Sequence, residues 1–247
     1  MRASFQNWIL PSLLRRAATL SSARYLLDKR VRLRTRLGIE VDVRVRDMGG
    51  PIDVFALGAY DYSAIDWSRL EYVIDAGAHV GSLSLMVASR SNCRVLALEP
   101  NRATYRLLER NVAMAGLEAR VHCLNVALGS SAGERWLSST KLSPASTIVP
   151  GVAGDGGHPV HCLTLSDAFA ASGFPRVDLL KIDIEGSEYE VFGELDPGQL
   201  RDVAAVVLEC HPLSGHSVQE VVLKLHRTGF QVASEPQPGC TMLLAIR

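Results

Sequence analysis

The segment Tyr72-Val-Ile-Asp-Ala-Gly-Ala-His-Val-Gly81 decides the fold class of this chain of 247 residues. Its first three residues are a short apolar run, which predicts a buried strand, and a helix is expected at about 81–90. A buried strand that leads through a glycine turn into a helix is the basic unit of an open α/β sheet. We therefore expect the turn at 75–81 to lie at the carboxyl end of a strand, where such sheets bind ligands.

The same pattern repeats towards the C-terminus. Further strands are predicted at 94–99, 120–128, 177–183 and 203–209, helices at 101–115, 165–171 and 217–228, and a closing antiparallel pair at 230–234 and 241–246. Continuous apolar strands that alternate with helices predict a doubly wound, mostly parallel sheet. Residues 129–160 are rich in Gly, Ser and Pro and contain short strand-like pieces. Such a long stretch predicts a functional lid or a substrate loop, and it is the candidate wall of the substrate site.

The N-terminal part of the chain has a different character. Residues 1–36 carry nine basic side chains and one acid, and 5–36 is expected to be an amphipathic helix. Residues 39–46 alternate apolar and polar, which predicts a half-buried strand, and the Met-Gly-Gly-Pro run at 48–51 predicts a break. We divide the chain into a basic extension, 1–50, and a catalytic domain, 51–247. The segment 5–36 either contacts an anionic membrane surface or packs on the catalytic domain with its basic face in water.

Composition narrows the class of protein. Lys plus Arg and Asp plus Glu both total 26, and a neutral chain argues against a nucleic-acid partner. The five cysteines include no CxxC pair, which argues against a disulfide framework or a zinc knuckle. No apolar run approaches the roughly 20 residues of a membrane span, so a cytoplasmic location is expected.

The turn at 75–81 and Glu99 predict a nucleoside-bearing cofactor. Gly77 allows close approach to a ligand, and an acid about 20 residues beyond such a turn is placed to bind ribose hydroxyls. The turn lacks the GxGxxG spacing that places a pyrophosphate on a helix, and Asp75 beside it suits the ammonium of a methionine group. The pattern therefore favours S-adenosylmethionine over a nicotinamide dinucleotide.

Charged residues end the next predicted strand. Lys181, Asp183 and Glu185 alternate, so they would share one side of an extended strand. They either face the cofactor as catalytic or substrate-orienting groups, or form an ion pair of Lys181 with one of the two acids that completes the strand end.

Glu209 and His211 follow the last of the parallel strands. His211 could be the base that removes a hydroxyl proton, since histidine titrates in the useful range. Alternatively Asp183, Glu209 and His211 could bind a divalent metal ion, or His211 could be an ordinary turn residue before Pro212. The sequence leaves these three interpretations open.

The blocks at these strand ends together resemble the FkbM family of methyltransferases over roughly residues 70–212. They are 73–81, Ala97-Leu-Glu-Pro100, Asn111-Val112, Asn125-Val-Ala-Leu128 and 177–188 with its Lys-Ile-Asp-Ile-Glu-Gly sequence. The resemblance implies a class I methyltransferase, with a Rossmann-like, doubly wound, seven-stranded sheet, here preceded by a helical and strand extension. Where the family usually has asparagine, this chain has His79.

The resemblance also implies roles for individual residues. The turn with Asp75, Ala76, Gly77, His79 and Gly81 would hold the methionine part of S-adenosylmethionine, and Glu99 would hold the ribose. Asn125, Val126 and Ala127 would lie along the adenine, and Asp183 would face the transferred methyl group. The expected activity is O-methylation of a sugar, glycolipid, polysaccharide or polyketide hydroxyl. Methylation of a nucleic acid or protein, or a cofactor-binding partner without activity, are the alternatives.

Overall fold

The computed structural model describes residues 26–139, 146–149 and 157–247. The strands are β1 (Arg30–Arg34), β2 (Glu40–Arg44), β3 (Tyr72–Ala76), β4 (Arg94–Leu98), β5 (Val121–Leu124), β6 (Ala127–Leu128), β7 (Gly133–Ser139), β8 (Ser146–Val149), β9 (His158–Leu163), β10 (Val177–Ile182), β11 (Val203–Cys210), β12 (Gln231–Gln237) and β13 (Cys240–Ile246). The helices are α1 (Gly49–Ile52), α2 (Ser82–Arg90), α3 (Arg102–Met114), α4 (Leu165–Ser172), α5 (Glu188–Gly193) and α6 (Val218–Arg227).

Within the described residues the main sheet has seven strands, in the order β12-β13-β11-β10-β3-β4-β5. Strands β5, β4, β3, β10 and β11 are parallel, and β13 is antiparallel to both of its neighbours. From β3 the chain proceeds outwards to β4 and β5, and then returns to the other side of β3 with β10 and β11. The switch point therefore lies between β3 and β10, where a doubly wound sheet binds its ligand. The predicted fold class and the closing antiparallel pair are confirmed.

Helices and apolar clusters cover both faces of the sheet. Alternate residues of β3 show this, because Val73 belongs to the cluster that includes residues of α2 and α3, and Ile74 to the cluster that includes residues of α4, α5 and α6. Both side chains are fully buried. Burial on both faces is why the strands of this sheet are continuously apolar in sequence.

The N-terminal extension differs from its prediction in three places. Residues 30–34, expected to be helical, form β1, which pairs antiparallel with β2. The alternation at 39–46 puts Asp42 of β2 on the polar side of the strand, but Asp42 is buried, and Arg32 and Arg110 both donate hydrogen bonds to its carboxylate. The predicted break at 48–51 is the helical turn α1. The earlier part of the predicted amphipathic helix, 5–25, lies outside the described residues.

The third predicted strand, 120–128, is divided in two. β5 belongs to the main sheet, whereas β6 pairs with β9 in a second sheet of order β6-β9-β7-β8. Asn125 lies between the two strands, and its amide donates hydrogen bonds to the carbonyls of Glu99 and Pro100. The segment 129–160 contains most of this second sheet, and its strand-like pieces are the strands at 133–139, 146–149 and 158–160. Residues 140–145 and 150–156 are not described, and a role of this segment as a wall of the substrate site stays a prediction. Among the described residues, no helix is both long and apolar enough to span a bilayer.

Candidate active site

The turn after β3 requires glycine at two positions. Gly77 has φ of 77°, and a Cβ atom there would lie 1.7 Å from the carbonyl oxygen of Asp183. Gly81 has φ of 91°, and a Cβ atom there would lie 2.7 Å from Cδ1 of Leu108. Both the left-handed backbone and the close packing exclude larger residues. The turn therefore lies directly against the end of β10 and against α3.

Asp75 and Lys181 form a buried ion pair beneath this turn. Nζ of Lys181 lies 3.2 Å from Oδ1 of Asp75 and donates a hydrogen bond of 2.7 Å to the carbonyl oxygen of Gly77. The hydroxyl of Ser84 donates to the other carboxylate oxygen of Asp75. Burial lowers the pKa of Lys181, but the charges of Asp75, Asp183 and Glu209 outweigh it and hold that pKa above its usual value. Asp75 thus fixes the turn through Lys181 and Ser84.

Glu99 lies directly after β4 and faces the turn. Its two carboxylate oxygens accept hydrogen bonds from the backbone N–H groups of His79, at 3.0 Å, and Asn101, at 2.7 Å. Burial raises the pKa of Glu99. Each carboxylate oxygen has a second lone pair, so Glu99 retains the capacity to accept hydrogen bonds from a ligand.

The three residues expected along an adenine lie at the next strand end. Asn125 and Val126 connect β5 to β6, and Ala127 begins β6 and is buried. The amide of Asn125 ties this connection to the backbone that follows β4, at Glu99. The structure therefore places Asn125 next to Glu99, and Val126 and Ala127 follow it in the chain.

Lys181, Asp183 and Glu185 do not share one side of a strand. β10 ends at Ile182, and Glu185 has φ of 56°, so the extended alternation does not reach it. Asp183 lies 3.6 Å from Lys181, which is the ion pair expected at the strand end. Glu185 lies 3.4 Å from Nε2 of His211. The three charges nevertheless belong to one connected cluster.

His211 lies among four carboxylates after β11. Its Nδ1 is 3.1 Å from Oε1 of Glu188, and its Nε2 lies 3.4 to 4.0 Å from Glu185, Glu209 and Asp183. The fully buried Glu188 also accepts hydrogen bonds from the backbone N–H groups of Ile184 and Gly186. Glu188 is a site residue that was not predicted from the sequence, although it belongs to the same block as Asp183.

Tyr60 is a second site residue that was not predicted from the sequence. Its hydroxyl donates a hydrogen bond of 2.6 Å to Oε1 of Glu209, and its ring lies beneath Nζ of Lys181, 6.0 Å from the centroid. Tyr60 is buried, and it reaches the site from the segment before β3. That segment carries no sequence motif that would have identified it.

Burial and neighbouring carboxylates shift the pKa values of His211, Glu185 and Glu209. Burial lowers the pKa of His211, but the hydrogen bond that His211 donates to Glu188 and the charges of Glu185 and Asp183 raise that pKa to about 10. Burial, together with the charge of Asp183, raises the pKa values of Glu185 and Glu209 to about 7. At neutral pH His211 therefore carries its proton, and the two glutamates are close to their titration points.

A divalent metal ion at this cluster would compete with contacts that its residues already make. Ligand atoms of Asp183, Glu188 and His211 lie within 4.8 Å of one another. Both oxygens of Glu188 accept backbone hydrogen bonds, and His211 would have to give up a proton, because a protonated imidazole has no lone pair for a metal. Glu209, the third ligand expected from the sequence, accepts a hydrogen bond from Tyr60.

The strand order, with one antiparallel strand next to the outer edge, is that of the class I methyltransferase fold. The chain belongs to the methyltransferase FkbM domain family, whose model matches residues 75–232. This confirms the resemblance found in the sequence blocks. Family and fold together make the protein a methyltransferase.

Relatives of known name agree with this assignment. Methyltransferase sdnD from Sordaria araneosa is 29% identical over 214 residues, which are 74% of this chain and 82% of the relative. The 31-O-demethyl-FK506 methyltransferase FkbM from Streptomyces tacrolimicus is 24% identical over 220 residues, 75% of this chain and 82% of the relative. Hexuronic acid methyltransferase AglP from Haloferax volcanii is 26% identical over 168 residues, 68% of this chain and 65% of the relative.

Proposed function

We propose that the protein is an S-adenosylmethionine-dependent O-methyltransferase that acts on a hydroxyl of a sugar, a glycolipid or polysaccharide, or a polyketide-type molecule. This proposal rests on one observation: two groups of residues lie together at the carboxyl edge of the sheet. The turn after β3 and Glu99 form the first group, and Asp183, Glu209 and His211 form the second.

The residues of the first group fit the cofactor by their chemistry. Glu99 has lone pairs left for ribose hydroxyls, and Asn125 lies beside it at the start of the segment 125–127, to which we assign the adenine. The carboxylates of Asp183 and Glu185 give this edge of the sheet a negative potential, which suits a cofactor that carries a sulfonium and an ammonium group. Asp75 contributes by fixing the turn through Lys181.

The second group supplies what methyl transfer to a hydroxyl needs. S-adenosylmethionine, when bound, supplies a methyl group on a positively charged sulfur that leaves as a neutral thioether. The acceptor hydroxyl must lie in line with that methyl group and lose its proton as the oxygen–carbon bond forms. We assign the proton to the carboxylate of Glu209, whose pKa is about 7. His211, which carries its own proton, orients the acceptor oxygen together with Asp183.

The acceptor class is taken from the relatives. One relative is named for its action on 31-O-demethyl-FK506 and another for methylation of a hexuronic acid. Both names describe small-molecule or sugar acceptors, and neither describes a nucleic acid. The contact of residues 5–36 with an anionic membrane stays a separate prediction, because most of that segment lies outside the described residues.

Calorimetry on the full chain tests the cofactor. We expect saturable heat with S-adenosylmethionine and none with a nicotinamide dinucleotide. Glu99→Gln should weaken the binding of S-adenosylmethionine about tenfold or more, because the amide cannot accept the same hydrogen bonds from N–H and hydroxyl groups. Glu118→Gln is the matched control, since Glu118 is exposed before β5, at the opposite edge of the sheet. Uptake of the dinucleotide instead would overturn the proposal.

A turnover assay with a panel of sugars and macrolides tests the reaction. The assay measures the release of S-adenosylhomocysteine. Asp183→Ala is expected to retain cofactor binding while losing turnover. If the wild-type chain binds the cofactor but methylates nothing on a broad panel of hydroxylated acceptors, the alternative of an inactive cofactor-binding partner gains support. Methylation of RNA or protein at a higher rate than any of these acceptors would overturn the acceptor class.

A further inference from the structure

His79 occupies an unusual conformation at the centre of the cofactor turn. Its φ is 53°, in the left-handed region that residues other than glycine seldom adopt. From this conformation it donates its backbone N–H to Oε2 of Glu99. Something outside the turn must therefore favour a conformation that the chain itself does not prefer.

The side chain of His79 lies against the end of the N-terminal extension. Its Nε2 is 3.9 Å from Oδ1 of Asp47, whose side chain is 2% exposed. Gly50 leaves room for the imidazole, because a Cβ atom at that position would lie 3.1 Å from Nδ1 of His79. Burial lowers the pKa of His79, but the contact with Asp47 outweighs it, so the pKa is raised and the pair attracts.

Arg44 holds Asp47 in place and is itself bound to the catalytic domain. Its Oδ2 accepts a hydrogen bond from Nε of Arg44, and Arg44 donates a hydrogen bond of 2.7 Å to the hydroxyl of Thr104 on α3. One carboxylate oxygen thus faces Arg44 and the other faces His79. This connects α3, the extension and the cofactor turn in one chain of polar contacts.

We propose that Asp47 is a positioning residue for the cofactor turn: it holds His79 in the left-handed conformation from which the His79 N–H binds Glu99. The last residues of the extension are therefore part of the cofactor site, although they precede the part of the chain that matches the family model. This inference rests on the proposed function, because it concerns the binding of S-adenosylmethionine.

A double-mutant cycle on the full chain, with the dissociation constant of S-adenosylmethionine as readout, tests the proposal. Asp47→Asn should weaken binding about fivefold or more, as expected for coupled neighbours. His79→Asn supplies the second background of the cycle, whatever its own affinity, because asparagine adopts the left-handed conformation readily without an ionic partner. In the His79→Asn background, Asp47→Asn should then change binding by less than about twofold. Equal losses in both backgrounds would make Asp47 a purely structural residue and overturn the proposal.

Two further variants keep the test decisive if Asp47→Asn unfolds. His79→Gln leaves the Arg44–Asp47 pair intact and should also weaken binding, so wild-type affinity for His79→Gln would overturn the proposal. Asp42→Asn is the matched control, because Asp42 is another buried acid of the extension, paired with Arg32 and Arg110. It should lower the melting temperature without coupling to His79. A wild-type chain that does not bind S-adenosylmethionine would refute the proposed function and this inference together; normal binding by Asp47→Asn would refute only this inference.

Discussion

The ammonium of Lys181 lies 3.2 Å from the carboxylate of Asp75, and the two side chains are 5% and 0% exposed. The pair joins neighbouring parallel strands, since Lys181 and Asp75 are register partners in β10 and β3. Lys181 also donates to the carbonyl oxygen of Gly77. The same contact therefore joins the two central strands and fixes the turn that follows β3.

Removing one partner of this pair should destabilise the fold strongly. Lys181→Met leaves the Asp75 carboxylate buried without its counter-charge, which typically costs about 3–5 kcal/mol in unfolding free energy. Adding Asp75→Asn should recover part of that loss, because the unpaired charge is removed. Urea unfolding measures both effects. Arg69→Met, at an exposed ion pair with Asp66, is the control and should leave the unfolding free energy unchanged. A loss below about 1 kcal/mol for Lys181→Met would contradict the assignment.

A comparison of Gly77→Ala with Gly38→Ala separates the cost of backbone strain from the cost of a steric clash. Gly77 and Gly38 have φ values of 77° and 78°, but a Cβ atom at Gly77 would meet the carbonyl of Asp183 at 1.7 Å, whereas one at Gly38 would meet nothing within 4 Å. Gly38→Ala should cost about 1 kcal/mol, from strain alone. Gly77→Ala should cost more and abolish cofactor binding, because the turn must move away from β10. Circular-dichroism melts and calorimetry measure the two variants; equal melting temperatures would show that the turn can relax.

Strand-end residues could be predicted from the sequence because two local rules apply to them. Continuous apolar runs identify parallel strands, and parallel strands end at the same edge of the sheet. These rules predict a common edge of the sheet for Glu99, Asp183, Glu209 and His211, and the structure places them at that edge. They apply without knowledge of how the helices pack.

Residues that reach the site through tertiary packing could not be predicted in this way. Tyr60 and Asp47 lie in segments before β3 and contact Glu209 and His79 only once those segments fold onto the sheet. Asp42 shows the same limit, because an alternating pattern places it in water while Arg110, far away in sequence, covers it. Periodicity describes one strand and its nearest helix, and it contains no information on such long-range contacts.

Tyr60→Phe should shift the pH dependence of turnover. The hydroxyl of Tyr60 donates to the Glu209 carboxylate and so favours its charged form. Without that hydrogen bond the pKa of Glu209 rises from about 7, and the acid limb of kcat/KM against pH moves to higher pH by about half a unit or more. Tyr105→Phe is the control, because the hydroxyl of Tyr105 binds the exposed Glu109 of α3. An unchanged acid limb in Tyr60→Phe would show that Glu209 does not accept the proton.

Turnover should survive removal of metal ions. A metal at Asp183 and His211 would need the lone pair of an imidazole nitrogen, but the carboxylates around His211 raise its pKa to about 10 and keep it protonated at neutral pH. Glu188 cannot turn towards a metal without releasing the N–H groups of Ile184 and Gly186. We therefore expect the same rate of S-adenosylhomocysteine release before and after treatment with EDTA and gel filtration, at pH 7.

The matching experiment adds divalent ions to the treated enzyme. If the rate falls at least about tenfold on chelation and Mg²⁺, Mn²⁺ or Zn²⁺ restores it, a metal contributes to acidifying the acceptor hydroxyl, and His211 must lose its proton to bind it. Metal binding would then release a proton, which a pH-stat detects. Because the two mechanisms predict opposite responses to chelation, this measurement decides whether the cluster around His211 acts through its own carboxylates or through an ion.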